Sequence, residues 1–211
     1  MVASDKTIGR LSLYRRILHQ QKQEGKEAIY SHELAALANC TPAQVRRDIM
    51  TLGYTGSPVR GYDVDALMTS IGQFLDAEAF HGVALVGVGN LGRALLSYFV
   101  GRNPRLSIVA AFDVSESVAN RVINGCPVYA IDELESVIRD QGIGVAIVAV
   151  PATEAQAAAQ RLYAAGIRGI LNFAPVRLWA PDHVYVEDVD LTMSLERVIY
   201  FARNDVVQGG T

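Results

Sequence analysis

The sequence predicts an α/β protein: a helical head built on a helix-turn-helix, a doubly wound parallel sheet behind it, and a final helix. Three observations carry this. The apolar run Val83 to Val86 passes through Gly87-Val88-Gly89-Asn90-Leu91-Gly92 into an apolar helical pattern. Strand and helix patterns then alternate as far as Asn172, which implies right-handed crossovers and a parallel sheet with its ligand cleft at the carboxyl ends of the strands. Ahead of the glycine motif, residues 1–80 hold short helical periods separated by turn residues.

In chain order, Ile8 to Gln23 carries Ile8, Leu11, Tyr14, Ile17 and Leu18 at helical spacing and ends near Gly25. Ser31 stands as the N-cap of a short second helix running to Ala38, with Glu33 in its first turn and Leu34, Leu37 and Ala38 behind. Asn39 and Cys40 form the turn. Thr41-Pro42 then sets a capping hydroxyl before a proline at the first helical position, and Val45, Ile49 and Leu52 make the buried stripe of a third helix, stopped by Gly53. That stripe leaves Gln44, Arg46, Arg47 and Asp48 outside. The segment Gly53 to Tyr62 has the glycine and proline density of a hairpin, a wing bearing Ser57 and Arg60. Asp63 then caps a connecting helix that reaches Phe80, with Ala66, Leu67, Ile71, Phe74 and Leu75 on one side.

Beyond the glycine motif, strands are expected at Ser107–Phe112, Val128–Tyr129, Val145–Val150 and Gly169–Asn172, and helices at Glu133–Asp140 and Glu154–Ala165. Gly89, Asp113, Val150-Pro151 and Phe173 fall at strand ends on the cleft side. The last helix, Thr192 to Val207, carries Leu195, Val198, Ile199, Phe201, Ala202 and Val206. This is wider than one stripe and predicts burial on more than one side; on spacing alone, a helix covering its own sheet accounts for it. The expected domains are 1–80, 81–191 and 192–211.

At 211 residues, 50% hydrophobic and 19% charged, the chain has the composition of a soluble globular protein. Lys6, Arg10, Arg15, Arg16, Lys22 and Lys26 punctuate the first thirty residues and no apolar run reaches membrane-spanning length, so neither a signal peptide nor a membrane span is expected, and the location is cytoplasmic. Cys40 and Cys126 have no metal-ligand spacing, so no metal is expected. Residues 1–70 hold nine Lys and Arg against seven Asp and Glu, whereas residues 71–211 hold ten against fifteen. The positive head points modestly to a polyanion partner.

The chemistry of the glycine motif is that of a dinucleotide site. Gly87 permits a tight turn, Gly89 admits a pyrophosphate close to the backbone, Gly92 packs helix on strand, and the helix N-terminus offers unpaired N–H groups to phosphate. Asp113, twenty-one residues past Gly92, is placed for the ribose hydroxyls. A plain glycine turn would leave Asp113 unexplained. On the head, Arg and Gln are the side chains that read guanine and adenine edges in a major groove. Ser31, Thr41, Gln44, Arg46, Arg47, Ser57 and Arg60 are accordingly the candidate DNA-contacting residues; the competing reading is an ordinary solvated charged face on a three-helix scaffold.

At these residues the chain resembles the Rex family of redox-sensing transcriptional repressors. The matching stretches are Arg10-Leu11-Ser12-Leu13-Tyr14, Gln44-Val45-Arg46-Arg47-Asp48, Gly61-Tyr62-Asp63-Val64, Val86 through Gly92, Ala165 through Val176, and Val186-Glu187-Asp188-Val189-Asp190. The resemblance implies winged-helix heads, Rossmann-like cores that bind NADH and NAD+, and a homodimer with exchanged C-terminal helices. Such a dimer holds a palindromic operator on double-stranded DNA and is released by NADH. It adds Asn90, Leu91, Val150, Asn172 and Ala174 to the cofactor-binding candidates. It also implies a coupling set in which Asp190 exchanges Arg16 for Tyr98 across subunits as the nicotinamide site fills; on spacing alone, Tyr98 reads as a helix-core aromatic and Asp190 as a turn residue. The chain departs from the family at Thr51-Leu52-Gly53, where Tyr-Phe-Gly is usual, and at the wing, Ser57-Pro58-Val59-Arg60, where Lys-Arg-Gly-Val is usual. Its operator therefore need not be the family's.

Two other functions fit parts of the pattern. An NAD-dependent oxidoreductase needs a proton donor beside the nicotinamide, yet no Lys follows Lys26 and the back half has only His81 and His183. No catalytic residue is assigned. A coenzyme A binding protein fits the strand ending at Val150-Pro151, but the Asp113 carboxylate would repel a ribose phosphate, and Val114 and Ser115 offer no Arg to accept one.

Overall fold

The computed structural model describes residues 3–57, 59–76, 82–101 and 106–208, with side chains of the final helix described as far as residue 203. The chain divides into two compact units, Met1–Glu78 and Ala79–Thr211.

The first unit comprises α1 (Asp5–Gln23), β1 (Ala28–Ile29), α2 (Ser31–Leu37), α3 (Pro42–Met50), β2 (Tyr62–Asp63) and α4 (Val64–Leu75). Ser4 caps α1 by accepting from the Thr7 amide at 3.3 Å, which starts the helix three residues before the expected Ile8. Leu11, Tyr14, Leu18, Ile29, Leu34, Val45, Ile49, Leu67 and Ile71 form one buried core. The α2–α3 turn passes through Asn39 at φ +50°, and Thr41 caps α3 as its sequence requires, accepting from the Gln44 amide at 3.2 Å. β1 and β2 pair antiparallel, and between α3 and β2 the wing closes on an isolated bridge, Ser57 to Gly61.

Three expectations for this unit are corrected. Ser31 is not the cap of α2 but its first residue: Tyr30 takes the extended cap conformation, and the Glu33 carboxylate accepts from the Tyr30 amide at 2.7 Å. On α4 the buried stripe is Val64, Leu67 and Ile71, so Ala66, one position off it, turns to solvent with Phe74. The helix ends at Leu75, with Asp76 as a non-helical C-cap whose amide donates to the Gly72 carbonyl, so it does not run unbroken to Phe80 as expected; residues 77–80 lie outside the described residues. Asp48 is buried rather than outward-facing, because Arg10 and Tyr14 of α1 reach it.

The second unit is a seven-stranded sheet in the order β5-β6-β4-β3-β7-β8-β9, parallel except for β5. Its elements are β3 (Val83–Val86), α5 (Asn90–Phe99), β4 (Ile108–Asp113), β5 (Arg121–Ile123), β6 (Cys126–Ala130), α6 (Leu134–Gln141), β7 (Val145–Val148), α7 (Ala152–Ala165), β8 (Gly169–Asn172), β9 (Tyr185–Asp188) and α8 (Leu191–Gln208). Alternate β3 residues pack into two different layers: Ala84 and Val86 join Leu134, Ile138, Ala159 and Leu162, whereas Val83 and Leu85 join Leu96. The sheet is therefore covered on both faces, the arrangement that makes its strands apolar throughout. Chain order reverses at β3, flanked by β4 and β7, which puts the ligand crevice at the carboxyl ends of those strands.

β5 and β9 were not expected. Among the described residues, every α8 side chain from Leu191 to Arg203 is exposed, so the helix does not cover its own sheet.

Candidate functional sites

At the crevice, Gly87 adopts φ +95°, and a Cβ there would come within 2.5 Å of the Ala149 carbonyl oxygen. A Cβ on Gly92 would overlap the Gly87 carbonyl, whereas one on Gly89 would meet nothing. The three glycines thus divide the work as the motif requires: turn, packing, and an open approach beside the start of α5. Asp113, at the end of β4, binds the loop itself. Its Oδ2 accepts from the Val88 amide at 2.7 Å and its Oδ1 from the Ser115 amide at 2.8 Å. Each oxygen keeps a lone pair directed elsewhere.

Gly87, Gly89, Asp113, Val150 and Pro151 line one cleft of 630 Å³ together with Val86, Phe112, Val114 and Ile131. Four further lining residues, Glu154, Ala157, Ala158 and Arg161, come from one face of α7. Their spacing of three and four is readable in the sequence, where the segment is expected only as a helix. The Arg161 guanidinium is held by a bidentate pair to Glu135, at 2.6 Å for each bond. That pairing pulls the Glu135 carboxyl below the usual range.

Other cofactor candidates lie apart from the cleft wall. Asn90 and Leu91 are exposed on the first turn of α5. Asn172 is buried and spent internally: its amide donates to the Val176 carbonyl and to Asp188, each at 2.8 Å, and its oxygen accepts from the Ala174 amide at 3.0 Å. It ties β8 to β9 and shapes the Phe173–Ala174 turn. Tyr98 is exposed beside Phe99, with ring centroids 5.1 Å apart. Asp190 is exposed and caps α8, accepting from the Met193 amide at 2.8 Å. Arg16 is exposed on α1.

On the head, α3 presents Arg46 and Arg47 to solvent. Arg46 reaches the Ser31 hydroxyl at 3.1 Å, so α2 and α3 share a polar contact on the exposed side. Gln44 is half-buried and donates to Asp48 at 2.8 Å. Asp48 also takes Arg10 through two bonds, at 2.6 and 2.8 Å, and the Tyr14 hydroxyl at 3.0 Å. Burial opposes its ionisation, but the donors from Arg10, Gln44 and Tyr14 outweigh that and hold the carboxyl below the usual range. The Thr41 and Ser57 hydroxyls both serve the local backbone, Ser57 by accepting from the Val59 and Arg60 amides at 3.2 Å each.

Residues 3–49 match the family model described as a putative DNA-binding protein N-terminus, and residues 80–176 match the CoA binding domain model; each covers less than half of the chain. Full-length relatives are more specific. The redox-sensing transcriptional repressor Rex of Lactobacillus gasseri is 42% identical over 199 residues, covering 94% of this chain and 93% of that protein. The Rex of Geobacillus kaustophilus is 42% identical over 198 residues, covering 94% and 92%. Among solved structures, RSP, a Rex-family repressor, superposes with a TM-score of 0.86 at 29% identity over 98% of this chain and 97% of that one. RSP in complex with beta-NAD+ and operator DNA gives 0.88 at 29% identity, covering 100% of this chain and 99% of that one. RSP in complex with beta-NADH gives 0.87 at 29% identity, covering 99% and 98%.

Proposed function

The chain belongs to the Rex family of redox-sensing transcriptional repressors, and from that premise we propose how its own residues bind DNA and dinucleotide and couple the two. It is a repressor and not an enzyme. Acting as a homodimer in the cytoplasm, it holds a palindromic operator when free or bound to NAD+ and releases it when NADH binds.

The observation that carries the cofactor reading is the Asp113 carboxylate holding the Val88 amide at the rim of the glycine cleft. One group thereby shapes the phosphate-binding turn and offers acceptors to two vicinal ribose hydroxyls. The open side of Gly89 and the start of α5 fit a pyrophosphate, and the apolar wall of Phe112, Val114, Ile131 and Ala158 fits a planar base. Bound NADH reports the redox state of the pool; the protein supplies only binding and orientation. A coenzyme A phosphate would meet the same carboxylate unfavourably. Calorimetric titration with NADH, NADPH and coenzyme A tests this: NADH should bind tightest, and equal or tighter coenzyme A binding would overturn it.

On the head, Arg46 and Arg47 of α3 contact base edges and phosphate in the major groove, and Arg60 contacts the backbone from the wing. The exposed apolar residues Leu191, Leu195, Val198, Ile199, Tyr200 and Phe201 of α8 support its exchange into a second copy, since a lone monomer would leave them in water. Tyr98 and Asp190 form the cofactor-sensitive pair across subunits, and Arg16 is the alternative partner of Asp190 in the DNA-binding state.

A further inference from the structure

The wing is a small structure with little of its own to hold it. Ser57 and Gly61 exchange two backbone bonds, the Ser57 amide to the Gly61 carbonyl at 2.9 Å and the reverse at 2.8 Å, and the Ser57 hydroxyl accepts the amides of Val59 and Arg60. An isolated hairpin with so few rungs is marginal in water. Beyond these bonds, Tyr30 touches both its tip and its base. The Tyr30 hydroxyl donates to the Val59 carbonyl at 2.8 Å. Gly61, at φ +74°, returns so close to β1 that a Cβ there would stand 2.7 Å from the Ile29 carbonyl and 3.2 Å from the Tyr30 ring. The recognition helix is reached from the next residue, Ser31, whose hydroxyl accepts from Arg46 of α3. His32 stacks on the Tyr30 ring, with centroids 5.6 Å apart and planes 21° from parallel.

Two consecutive residues, Tyr30 and Ser31, therefore reach the two elements that carry the DNA-reading arginines. We propose that Tyr30 is a positioning residue for operator binding: its hydroxyl fixes the wing, and hence Arg60, relative to α3. This rests on the reading of Arg60 as a DNA contact.

The test is a double-mutant cycle on the full-length protein, measuring operator affinity across a salt series for the parent, Tyr30→Phe, Arg60→Ala and the double variant. Phenylalanine keeps the ring against Gly61 and His32 and removes only the hydroxyl. Tyr30→Phe should weaken operator binding by about 3- to 10-fold, the factor one hydrogen bond supplies, and flatten the salt slope toward that of Arg60→Ala, which lacks about one phosphate contact. Added to Arg60→Ala, it should cost nothing more, and NADH affinity and Tm should stay at parent values. The same loss in the parent and the Arg60→Ala background would overturn the proposal, because Tyr30 would then act on DNA independently of the wing. So would parent affinity in Tyr30→Phe while Arg60→Ala is impaired. If Arg60→Ala itself retains parent affinity and slope, the wing contact under the proposed function fails, and the positioning role falls with it.

Discussion

Asp113 and Asp48 are both carboxylates with several donors, and they differ in what remains to be bound. Asp113 spends one lone pair of each oxygen on the loop amides of Val88 and Ser115 and sits on the wall of an open cleft. Its replacement by alanine should therefore do two things: weaken NADH binding, and narrow the preference for NADH over NADPH by removing the charge that repels a 2′-phosphate. Affinities for both reduced cofactors check this, and an undiminished preference in the variant would remove Asp113 from the ribose site. Asp48 is spent entirely on the head, where Arg10, Gln44 and Tyr14 hold it ionised despite burial. Because its folded pKa is lowered, its contribution to stability is full above the ordinary aspartate value of about 4 and is lost as pH falls through the lowered folded value. Asp48→Asn should destabilise the head by about 3 kcal/mol at neutral pH, since it leaves the Arg10 charge without its partner. The variant should also show a flatter loss of stability in acid, seen by thermal melts between pH 7 and 3.

Among elements, those announced by two independent signals were the ones the sequence placed well. α3 had both a Thr-Pro start and an apolar stripe, and β3 with α5 had the glycine spacing as well as the apolar run. Where one signal stood alone, tertiary contacts decided. Helical period put Asp48 on the solvent side of α3, and only the meeting with α1 buried it. The same holds for Ser31, whose residue type suits a cap but whose neighbour Tyr30 takes the cap geometry. The β5–β6 hairpin was legible and was missed: Asn124 and Gly125 turn at φ +51° and +80°, the pair of left-handed conformations that Asn-Gly favours between two strands. β9 carried no such sign, since Tyr185 to Asp188 is an exposed edge strand held by β8 and by the Asn172–Asp188 bond. The α7 face with Glu154, Ala157, Ala158 and Arg161 shows helical spacing in the sequence, but that it lines the cleft follows only from the fold that sets α7 beside the ends of β3 and β4. For α3, Arg46→Ala and Arg47→Ala should each cost about 1–3 kcal/mol of operator binding if bidentate to a base. A folded double variant with parent affinity, by fluorescence anisotropy, would remove α3 from the groove.

For the whole molecule, α8 states the assembly problem most plainly. Its apolar residues are exposed from Leu191 to Phe201, and a single charge placed among them, as in Val198→Glu, should shift the protein toward monomer in sedimentation equilibrium and weaken palindrome binding with it. A dimer in turn gives the cofactor something to act on, because a ligand moves an equilibrium only by binding its two states unequally. On the proposed function, NADH favours a geometry in which the two heads no longer fit two half-sites. On the proposed coupling the choice passes through Tyr98, Asp190 and Arg16, so Tyr98→Phe or Asp190→Ala should reduce the coupling between cofactor and DNA.

That coupling can be read from both ends. NADH affinity is measured with and without saturating operator, and operator affinity with and without saturating NADH, at one salt concentration. If the protein is an NADH-released repressor, both affinities fall by the same factor, about 5- to 150-fold for an ordinary allosteric coupling. NADH binding that is indifferent to operator, beside operator binding that is indifferent to NADH, would contradict the account.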